Sequence, residues 1–337
     1  MMSSYRDLFS QACKQGLPPH EVQLLLEHLT ALSRTALLLR MDDPAPDRLP
    51  QQLNELVQQR LTGYPLQYLL GEWEFFGLPF FVGEGVLIPR ADTEVLVETA
   101  LELCDGMFAP QVCDLCSGSG CIPIALSRHL PEQASLTAVE LSDAALGYLQ
   151  KNVQRHHCSN LTVVQADVLT WQPQQLFDLI TSNPPYISDQ EMLELQPEVR
   201  WEPEMALRAQ ENGLYFYRVL SKRCQSYLRT GGWLLFEIGY TQGQAVTIGW
   251  SPPDGSQPND NILSSQEELM QTVHYRAVVF DLDGTAVDSR YNIDALQLTC
   301  QEMLGRSATD EELKLTYGMT AANAMRYLGV ADDQIEP

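Results

Sequence analysis

Apolar residues recur every three or four positions over the first 62 residues, which is the spacing of amphipathic helices. The stretch 17–39, LPPHEVQLLLEHLTALSRTALLL, shows this spacing most clearly, and its two prolines stand where a helix would begin. A second helix is predicted at Gln51–Leu61, after the proline-rich stretch 42–50. The pattern therefore predicts a helical bundle over residues 1–70, which is either purely structural or a substrate-docking domain.

Residues 71–90, GEWEFFGLPFFVGEGVLIPR, have a different pattern, in which glycines interrupt aromatic and β-branched residues. A pattern of this kind predicts a β-hairpin. The change of period at residue 71 marks the expected end of the bundle. Residues 71–90 are therefore predicted to form a hairpin connector between the bundle and the rest of the chain.

Helix and strand patterns alternate over residues 91–248. Strands are predicted at Gln111–Leu115, Ser135–Glu140, Leu161–Ala166, Phe177–Ser182 and Trp233–Ile238. Helices are predicted at Ala91–Leu103, Cys121–Leu130, Ala144–His156 and Gly213–Leu228. Such alternation is typical of an α/β fold with a parallel, doubly wound sheet.

The composition limits the classes of function. The 337 residues are 45% hydrophobic, and the formal net charge is −23, of which −13 falls on residues 1–250 and −10 on residues 251–337. An acidic surface repels phosphate backbones, so a nucleic-acid partner is disfavoured. The start of the chain lacks a signal-peptide pattern, no apolar run could span a membrane, and the eight cysteines lack framework spacing. These features favour a cytoplasmic protein with reduced thiols.

Residues 113–121, CDLCSGSGC, lie between a predicted strand and a predicted helix. Small residues let the backbone approach a ligand closely, and a helix start offers free N–H groups. A zinc knuckle would need a second ligand pair at suitable spacing, which the nearest histidines do not provide. The pattern favours a nucleotide-type loop with no metal, in which the candidate binding residues are Asp114, Cys116, Ser117, Gly118, Ser119 and Gly120.

Acidic residues end the two strands that follow the loop. Glu140 comes twenty residues after Gly120, where a carboxylate can accept hydrogen bonds from both hydroxyls of a ribose. Asp167 follows the third predicted strand, where it would meet the edge of an adenine ring. Each acid taken alone is equally consistent with a solvated strand end. Together with the loop they indicate a nucleoside-containing ligand.

The sequence Asn183-Pro184-Pro185-Tyr186 follows the fourth predicted strand, at the end of the sheet where ligands bind. Proline has no N–H, so the groups nearby are acceptors, namely the Asn183 side-chain oxygen and the Pro184 carbonyl, with Tyr186 as a flat face. A planar NH2 group that donates both hydrogens to these acceptors regains electron density on nitrogen and is fixed in direction. Asn183, Pro184 and Tyr186 are therefore the candidate catalytic residues, and Asn183–Tyr186, including Pro185, the candidate substrate-binding residues. A turn that only closes the strand is the alternative.

The loop and the Asn-Pro-Pro-Tyr sequence together resemble a class I S-adenosylmethionine-dependent methyltransferase that acts on a planar nitrogen. Residues 1–246 resemble the HemK/PrmC family, which methylates the glutamine of the Gly-Gly-Gln motif in peptide chain release factors. The stretches that carry the resemblance are GYPLQYLLGEWEFFGLPFFV, LIPRADTEVLVE, the glycine loop, SNPPYIS, VRWEPEMAL and GGWLLFEIGYTQGQAV. Of these, LIPRADTE is the most specific to the family.

The resemblance implies S-adenosylmethionine as cofactor and a release factor as protein partner. It implies cofactor contacts from Cys116–Gly120, Glu140, Val168 and Asn183, and binding of the glutamine by Asn183–Tyr186. The sequence departs from the family at two of these positions. Cys116 replaces a glycine, so cofactor binding is expected to survive but weaken. Val168 stands where other members can carry an aromatic residue, so stacking on adenine is expected to be lost.

The chain departs from the family after residue 246. Residues 249–273 have the composition of a linker. In the fragment 274–337, the stretch Tyr275–Ser289, which contains VVFDLDGT, resembles the start of a haloacid-dehalogenase-type phosphatase. Asp281 and Asp283 would help to hold magnesium there if the later motifs were present. Because those motifs are missing, a free fusion remnant is favoured. The alternative is that the strand Arg276–Leu282 fills the sheet edge left by the family's missing terminal strands.

The sequence thus predicts a class I methyltransferase (Rossmann-like) doubly wound sheet, an N-terminal helical bundle and a truncated C-terminal α/β fragment. Three other functions compete with glutamine methylation. An adenine-amino nucleic-acid methyltransferase would share the loop and Asn183–Tyr186 but needs a basic face. A phosphatase or bifunctional enzyme would need the missing motifs, and an inactive fusion remnant would follow if the incomplete sheet folds poorly.

Overall fold

The computed structural model describes residues 3–239, residues 242–243 and 245–246, and a strand at residues 275–282. The described part contains a helical bundle, a two-stranded hairpin and a parallel sheet with helices. The predicted linker at residues 249–273, and the predicted phosphatase-like fragment apart from residues 275–282, lie outside the described residues. Asp283 is among those outside.

Five helices form the N-terminal bundle, and its core is made mainly of leucine and valine side chains. The helices are α1 (Tyr5–Lys14), α2 (Pro19–Thr30), α3 (Arg34–Leu39), α4 (Leu49–Leu61) and α5 (Leu66–Leu70). The single helix implied by the pattern of residues 17–39 is wrong, because the chain breaks at Ala31, which has a φ of 53°. Ser33 then starts α3 by accepting the N–H of Ala36 at 3.3 Å.

The predicted hairpin is present. Its strands β1 (Glu72–Phe75) and β2 (Leu78–Phe81) pair antiparallel, and both turn residues, Phe76 and Gly77, have positive φ as a tight two-residue turn requires. The side chain of Asn152 accepts the N–H of Phe81 at 2.7 Å and donates to its carbonyl at 3.1 Å. The hairpin is thereby fixed to the helix that carries Asn152.

Six parallel strands form the central sheet among the described residues, in the order β5-β4-β3-β6-β7-β8. The strands are β3 (Gln111–Leu115), β4 (Ser135–Glu140), β5 (Leu161–Gln165), β6 (Phe177–Ser182), β7 (Leu228–Gly239) and β8 (Tyr275–Leu282). The helices are α6 (Thr93–Leu103), α7 (Cys121–His129), α8 (Asp143–Arg155), α9 (Glu204–Leu207) and α10 (Tyr215–Cys224). The predicted doubly wound sheet is therefore confirmed.

Alternate strand residues face two separate cores. On one face the strands pack with α6, α7 and α8, through residues that include Val112, Leu136, Leu179 and Leu235. On the other face they pack with α10, through residues that include Cys113, Ile180, Leu234 and Phe236. Covering both faces in this way is what a parallel sheet requires.

One predicted boundary is wrong, between the last helix and the strand that follows it. The predicted helix Gly213–Leu228 is shorter in the structure, because Gly213 has a φ of 84° and cannot continue a helix. At its other end, Leu228 already pairs with Phe177 as the start of β7. The helix α10 ends at Cys224, so the last part of the predicted helix is a turn followed by the first residue of β7.

The strand β8 lies against β7 in parallel register, from Gly232 opposite Tyr275 to Gly239 opposite Leu282. This is the less favoured of the two arrangements predicted for the tail, and the expectation of a free tail is wrong for residues 275–282. The physical reason is that β7 would otherwise present a row of unpaired N–H and C=O groups, which recruits a strand. The sheet edge at β7 is thus covered by a segment from beyond the family-like region.

The course of the strands sets the position of the site. β3 lies at the centre, and the strands wind outward from it in both directions, so the carboxyl ends of β3 and β6 are neighbours at the switch point. The Ser182 hydroxyl donates to the Leu115 carbonyl at 2.8 Å across this gap. The glycine loop and the Asn-Pro-Pro-Tyr sequence therefore begin side by side.

No helix in residues 3–239 or the other described segments is both long and apolar enough to cross a membrane. Within the same part of the chain, histidine, cysteine and acidic side chains form no group that could hold a metal ion. The described cysteines are free thiols, and Cys113 and Cys121 are buried beside the loop.

Candidate active site

The glycine loop, residues 116–120, connects β3 to α7 through three left-handed residues. φ is 62° at Cys116, 55° at Gly118 and 84° at Gly120. A Cβ at Gly120 would lie 2.3 Å from Leu149 Cδ1, so this position requires glycine. A Cβ at Gly118 would meet no described atom within 4 Å, which leaves its backbone open to a ligand. Cys116 is in the left-handed conformation, which costs a residue with a Cβ about 1–2 kcal/mol.

Two buried polar atoms beside the loop have no hydrogen-bond partner among the described residues, namely Asp114 Oδ2 and Ser119 Oγ. Burial raises the pKa of Asp114 to about 7, although the hydrogen bond from Thr181 to its carboxylate acts to lower it. Buried polar groups are nearly always paired. These two atoms therefore fit the polar groups of a bound ligand.

Glu140 holds the glycine loop against the end of β4. Its Oε2 accepts the N–H of Gly118 at 2.8 Å, and its Oε1 accepts those of Leu141 and Ser142, each at 2.8 Å. An ionised carboxylate offers about four acceptor sites. Three of these sites accept backbone N–H groups, which leaves about one. The expected binding of two ribose hydroxyls would need two.

Asp167 and Val168 follow β5. Asp167 Oδ1 accepts the N–H of Leu169 at 2.9 Å and so shapes the turn. Val168 is buried in the core that α10 shares, and Cys116 and Tyr186 pack against the same cluster. Both residues are thus near the loop, while their contacts with an adenine ring remain predictions.

The Asn183–Tyr186 segment is held by its backbone. Pro184 and Pro185 are buried. The N–H of Tyr186 donates to the Leu207 carbonyl at 3.1 Å, and the Tyr186 carbonyl accepts a hydrogen bond from Gln242 Nε2 at 2.9 Å. A Cβ at Gly213 would lie 2.0 Å from the Tyr186 carbonyl oxygen, so the chain packs tightly here. The segment is therefore fixed before any substrate binds.

A pocket opens beside Asn183 and Tyr186. It is lined by Leu87, Arg90, Asn183, Tyr186, Ile187, Val199, Ala206, Leu207 and Glu237. The sequence did not single out Glu237 as a site residue, although it lies in the family-like stretch GGWLLFEIGYTQGQAV. Its position near the carboxyl end of β7, next to β6, is the signal that would have found it.

Glu237 is only 1% exposed. Burial raises the pKa of its carboxyl to about 8. The nearby charge of Asp92 also raises this pKa, and that of Arg90 lowers it. The pocket thus contains a carboxyl group that changes charge near neutral pH and that shares the pocket lining with the predicted catalytic residue Asn183.

Arg90, which lines the pocket, forms an ion pair with Glu202. Glu202 also accepts the N–H of Ile88 at 3.0 Å, and its side chain is 1% exposed. Arg90 lies in LIPRADTE and Glu202 in VRWEPEMAL, so two stretches far apart in sequence meet at the substrate side of the site.

Comparison with known proteins places the chain in a family. Residues 4–71 match the model of the PrmC N-terminal domain, and residues 91–202 match that of the methyltransferase small domain. The release factor glutamine methyltransferase of Geobacter sulfurreducens is 42% identical over 229 residues, which cover 68% of this chain and 78% of the relative. The chain belongs to the release factor glutamine methyltransferase family. The resemblance and the fold class predicted from the sequence are thereby confirmed.

Other members of this family are similar over most of their length. The Escherichia coli enzyme is 36% identical over 244 residues, covering 72% of this chain and 86% of that protein. Among solved structures, SMU.776, a putative methyltransferase complexed with SAH, has a TM-score of 0.39 and 15% identity, covering 53% of this chain and 46% of that one. Neither matched family model extends to residues 274–337, so the phosphatase resemblance has no support from these comparisons.

Proposed function

We propose that this chain transfers a methyl group from S-adenosylmethionine to the side-chain amide nitrogen of the glutamine in the Gly-Gly-Gln motif of a peptide chain release factor. Membership of the release factor glutamine methyltransferase family supports the activity. The observation that carries the proposal is the switch point, where the glycine loop and Asn183 begin at adjacent strand ends. Donor and acceptor groups of a transfer reaction would meet there.

The cofactor would bind along the carboxyl ends of β3, β4 and β5. Bound S-adenosylmethionine supplies the methyl group in electrophilic form, on a positively charged sulfur. The residues proposed to hold it are Asp114, Cys116, Ser117, Gly118, Ser119, Gly120, Glu140, Asp167, Val168 and Asn183. Their fit is supported by the open backbone at Gly118 and by the unpartnered oxygens of Asp114 and Ser119.

The glutamine amide would enter the pocket that Asn183 and Tyr186 line. An amide nitrogen is a poor nucleophile because its lone pair is delocalised. The Asn183 side-chain oxygen and the Pro184 carbonyl would each accept one of its hydrogens, while Tyr186 packs against its plane. Fixing the nitrogen in line with the methyl group supplies up to about 7–11 kcal/mol of the barrier reduction. In the transfer, the amide nitrogen would bond to the methyl carbon while the bond between that carbon and the cofactor sulfur breaks. The sulfur would leave as a neutral thioether, and one of the two amide protons would pass to solvent.

The partner would be a release factor, and the site of action the cytoplasm, where reduced cysteines are stable. We assign docking of the factor to the helical domain, residues 1–70, which contacts the substrate side of the site. Arg60 of α4 pairs with both Glu21 of α2 and Glu198, which directly precedes the pocket residue Val199. A factor held by the bundle would therefore be held close to the pocket.

The test is transfer of labelled methyl from S-adenosylmethionine to a purified release factor, with a duplex DNA substrate in parallel. The expected result is label on the glutamine side chain of the Gly-Gly-Gln motif, located by peptide mass spectrometry. A factor with that glutamine changed to alanine is the matched control and should remain unlabelled. Label on DNA adenine, or on neither substrate, would refute the proposal.

A further inference from the structure

The buried amide of Asn152 joins the hairpin to the glycine loop. Asn152 lies on α8 and is fully buried. Its Oδ1 accepts the N–H of Phe81 at 2.7 Å, and its Nδ2 donates to the carbonyl of Phe81 at 3.1 Å and to that of Ser119 at 2.9 Å. One side chain therefore holds the end of β2 and the loop together.

The backbone of Phe81 determines which way this amide points. An asparagine amide has an oxygen acceptor on one side and an NH2 donor on the other. Phe81 presents both an N–H and a carbonyl to Asn152, so only one orientation of the amide satisfies both. In that orientation the second hydrogen of the NH2 group is left for the Ser119 carbonyl. The reversed amide would place its oxygen against two carbonyl oxygens. The hairpin therefore sets the direction of the bond to the loop.

Ser119 is a point at which the loop must be held accurately. Its hydroxyl oxygen is buried without a hydrogen-bond partner among the described residues, and it is one of the proposed cofactor contacts. The position of that oxygen depends on the backbone that Asn152 holds by its carbonyl. Glu140 holds the same loop at the N–H of Gly118. Two side chains from outside the loop thus bind its backbone, one at a donor and one at an acceptor.

The helix α8 also packs closely against both parts. A Cβ at Gly120 would lie 2.3 Å from Leu149 Cδ1, and a Cβ at Gly83, just after β2, would lie 2.2 Å from the Tyr148 hydroxyl oxygen. From Gly83 the chain continues to Arg90, which lines the pocket. The helix thus supports the glycine loop and the start of the segment that leads to the substrate side of the site.

We propose that Asn152 is a positioning residue for cofactor binding, which transmits the position of the hairpin to the glycine loop through the Ser119 carbonyl. The inference rests on the proposed function, because that function assigns the loop to S-adenosylmethionine. It adds a fully buried residue outside the loop to the groups that determine cofactor affinity. Without a donor at this position the loop gains freedom, which cofactor binding must then remove.

The experiment uses two substitutions of Asn152. Asn152→Asp keeps the shape of the side chain and an acceptor for the N–H of Phe81, but an ionised carboxylate has no donor for the Ser119 carbonyl. Asn152→Ala removes all three bonds and adds no charge. Each variant should raise the Kd for S-adenosylmethionine about tenfold in calorimetry, which corresponds to the loss of one hydrogen bond. The KM for the cofactor should rise equally, whereas kcat at saturating cofactor and the KM for the release factor should stay near the wild-type values.

His156→Phe is the matched control for a loss of stability. His156 directly follows α8, and its Nε2 lies 2.8 Å from the carbonyl oxygen of Pro79, so it bonds the hairpin and not the loop. The control should lower the urea midpoint while cofactor affinity stays unchanged, because Asn152 keeps its bonds. A purely structural role for Asn152 would lower the folded fraction and leave the Kd of the folded protein as in wild type.

A measurement on the wild-type protein tests the same link without a substitution. Because coupling between two sites is reciprocal, saturating S-adenosylmethionine should slow hydrogen exchange at the N–H of Phe81, which bonds Asn152. The N–H of Phe76, in the same hairpin, bonds Glu94 instead and should exchange as before.

Wild-type cofactor affinity in the folded Asn152 variants would overturn the inference while leaving the proposed function intact. So would an equal rise of Kd in His156→Phe, or the same exchange rate at Phe81 with and without cofactor. A wild-type protein that binds S-adenosylmethionine but methylates no release factor would refute the proposed function alone, since these binding measurements need no release factor.

Discussion

The Thr181 hydroxyl donates to Asp114 Oδ1 at 2.7 Å, across the two central strands of the sheet. Both residues are fully buried. Asp114 lies two residues before the glycine loop, and Thr181 two residues before Asn183. This bond therefore fixes the relative position of the proposed cofactor and substrate sides of the site.

Replacing Thr181 by valine should destabilise the protein by about 1–3 kcal/mol, because Asp114 would keep no partner for its buried oxygens. The valine preserves the shape of the side chain, so packing should be unaffected. Urea denaturation measures the change. Thr162→Val, at an exposed position on β5, is the control and should be close to neutral. Equal stabilities of the two variants would show that the bond contributes nothing.

Asn183→Ala should abolish methyl transfer while S-adenosylmethionine still binds. Removing one preorganised contact to the reacting group lowers kcat about 10²–10³-fold. Single-turnover transfer measures the chemical step, and calorimetry measures cofactor affinity. Asn54→Ala, on an exposed face of α4, should behave as wild type. Near-normal turnover by Asn183→Ala would remove Asn183 from the mechanism.

Glu140→Ala should weaken S-adenosylmethionine binding for two reasons. The ribose would lose a charged acceptor, and the N–H of Gly118 would lose the carboxylate that now orders the loop. Each charge-assisted hydrogen bond is worth about 1.5–3 kcal/mol. Isothermal titration calorimetry provides the affinity, with the exposed Glu132→Ala as control. Unchanged affinity in Glu140→Ala would place the ribose elsewhere.

Two glycine substitutions should have opposite effects. Gly120→Ala brings a Cβ within 2.3 Å of Leu149 and forces alanine into a φ of 84°, so both stability and cofactor binding should fall. Gly147 lies in α8 with no described atom within 4 Å of an added Cβ. Gly147→Ala should therefore stabilise the protein by about 0.5–1 kcal/mol. Thermal denaturation of both variants is the measurement, and destabilisation of equal size would contradict this account.

Stability should fall as pH rises from about 4 to about 8 through the buried carboxyls. The pKa values of Asp114 and Glu237 are raised in the folded state to about 7 and about 8. Over this range the folded protein holds protons that the unfolded chain has lost, so raising the pH favours unfolding. Asp114→Asn and Glu237→Gln should each flatten the fall seen in urea midpoints, whereas the exposed Glu132→Gln should not. A midpoint that rises over this range in wild type but not in the variants would reverse the assignment.

The order of strands and helices followed from the sequence because short apolar strands and amphipathic helices alternate regularly. The loop and Asn183–Tyr186 could be placed at the same sheet edge for the same reason. The break at Ala31 could not be predicted, because the apolar spacing continues across it. Only the N-cap at Ser33 marks the start of the new helix. Similarly, the helix pattern before β7 continues past Cys224, where the chain turns, to Leu228, which pairs with Phe177.

Glu237 escaped detection because a single acid within an apolar strand has no pattern of its own. Its importance comes from its place in the lining of the pocket beside Asn183 and Tyr186, residues distant in sequence. The ion pair between Arg90 and Glu202 was also missed. Both residues lie in stretches that resemble the family, but the sequence does not show that they contact each other. Features that depend on which distant residues meet require the folded chain.

The two prolines of Asn183–Tyr186 have a consequence for the product. The proposed site offers two oxygen acceptors, the Asn183 side chain and the Pro184 carbonyl. Because proline has no N–H, Pro184 and Pro185 place no backbone donor beside them. An unmodified glutamine amide brings two hydrogens to these acceptors, whereas a methylated one brings a single hydrogen and a methyl group. One acceptor is then unsatisfied, and the extra carbon occupies its space. The same pair of oxygens that captures the substrate would thus expel what it has made and stop after one methyl group.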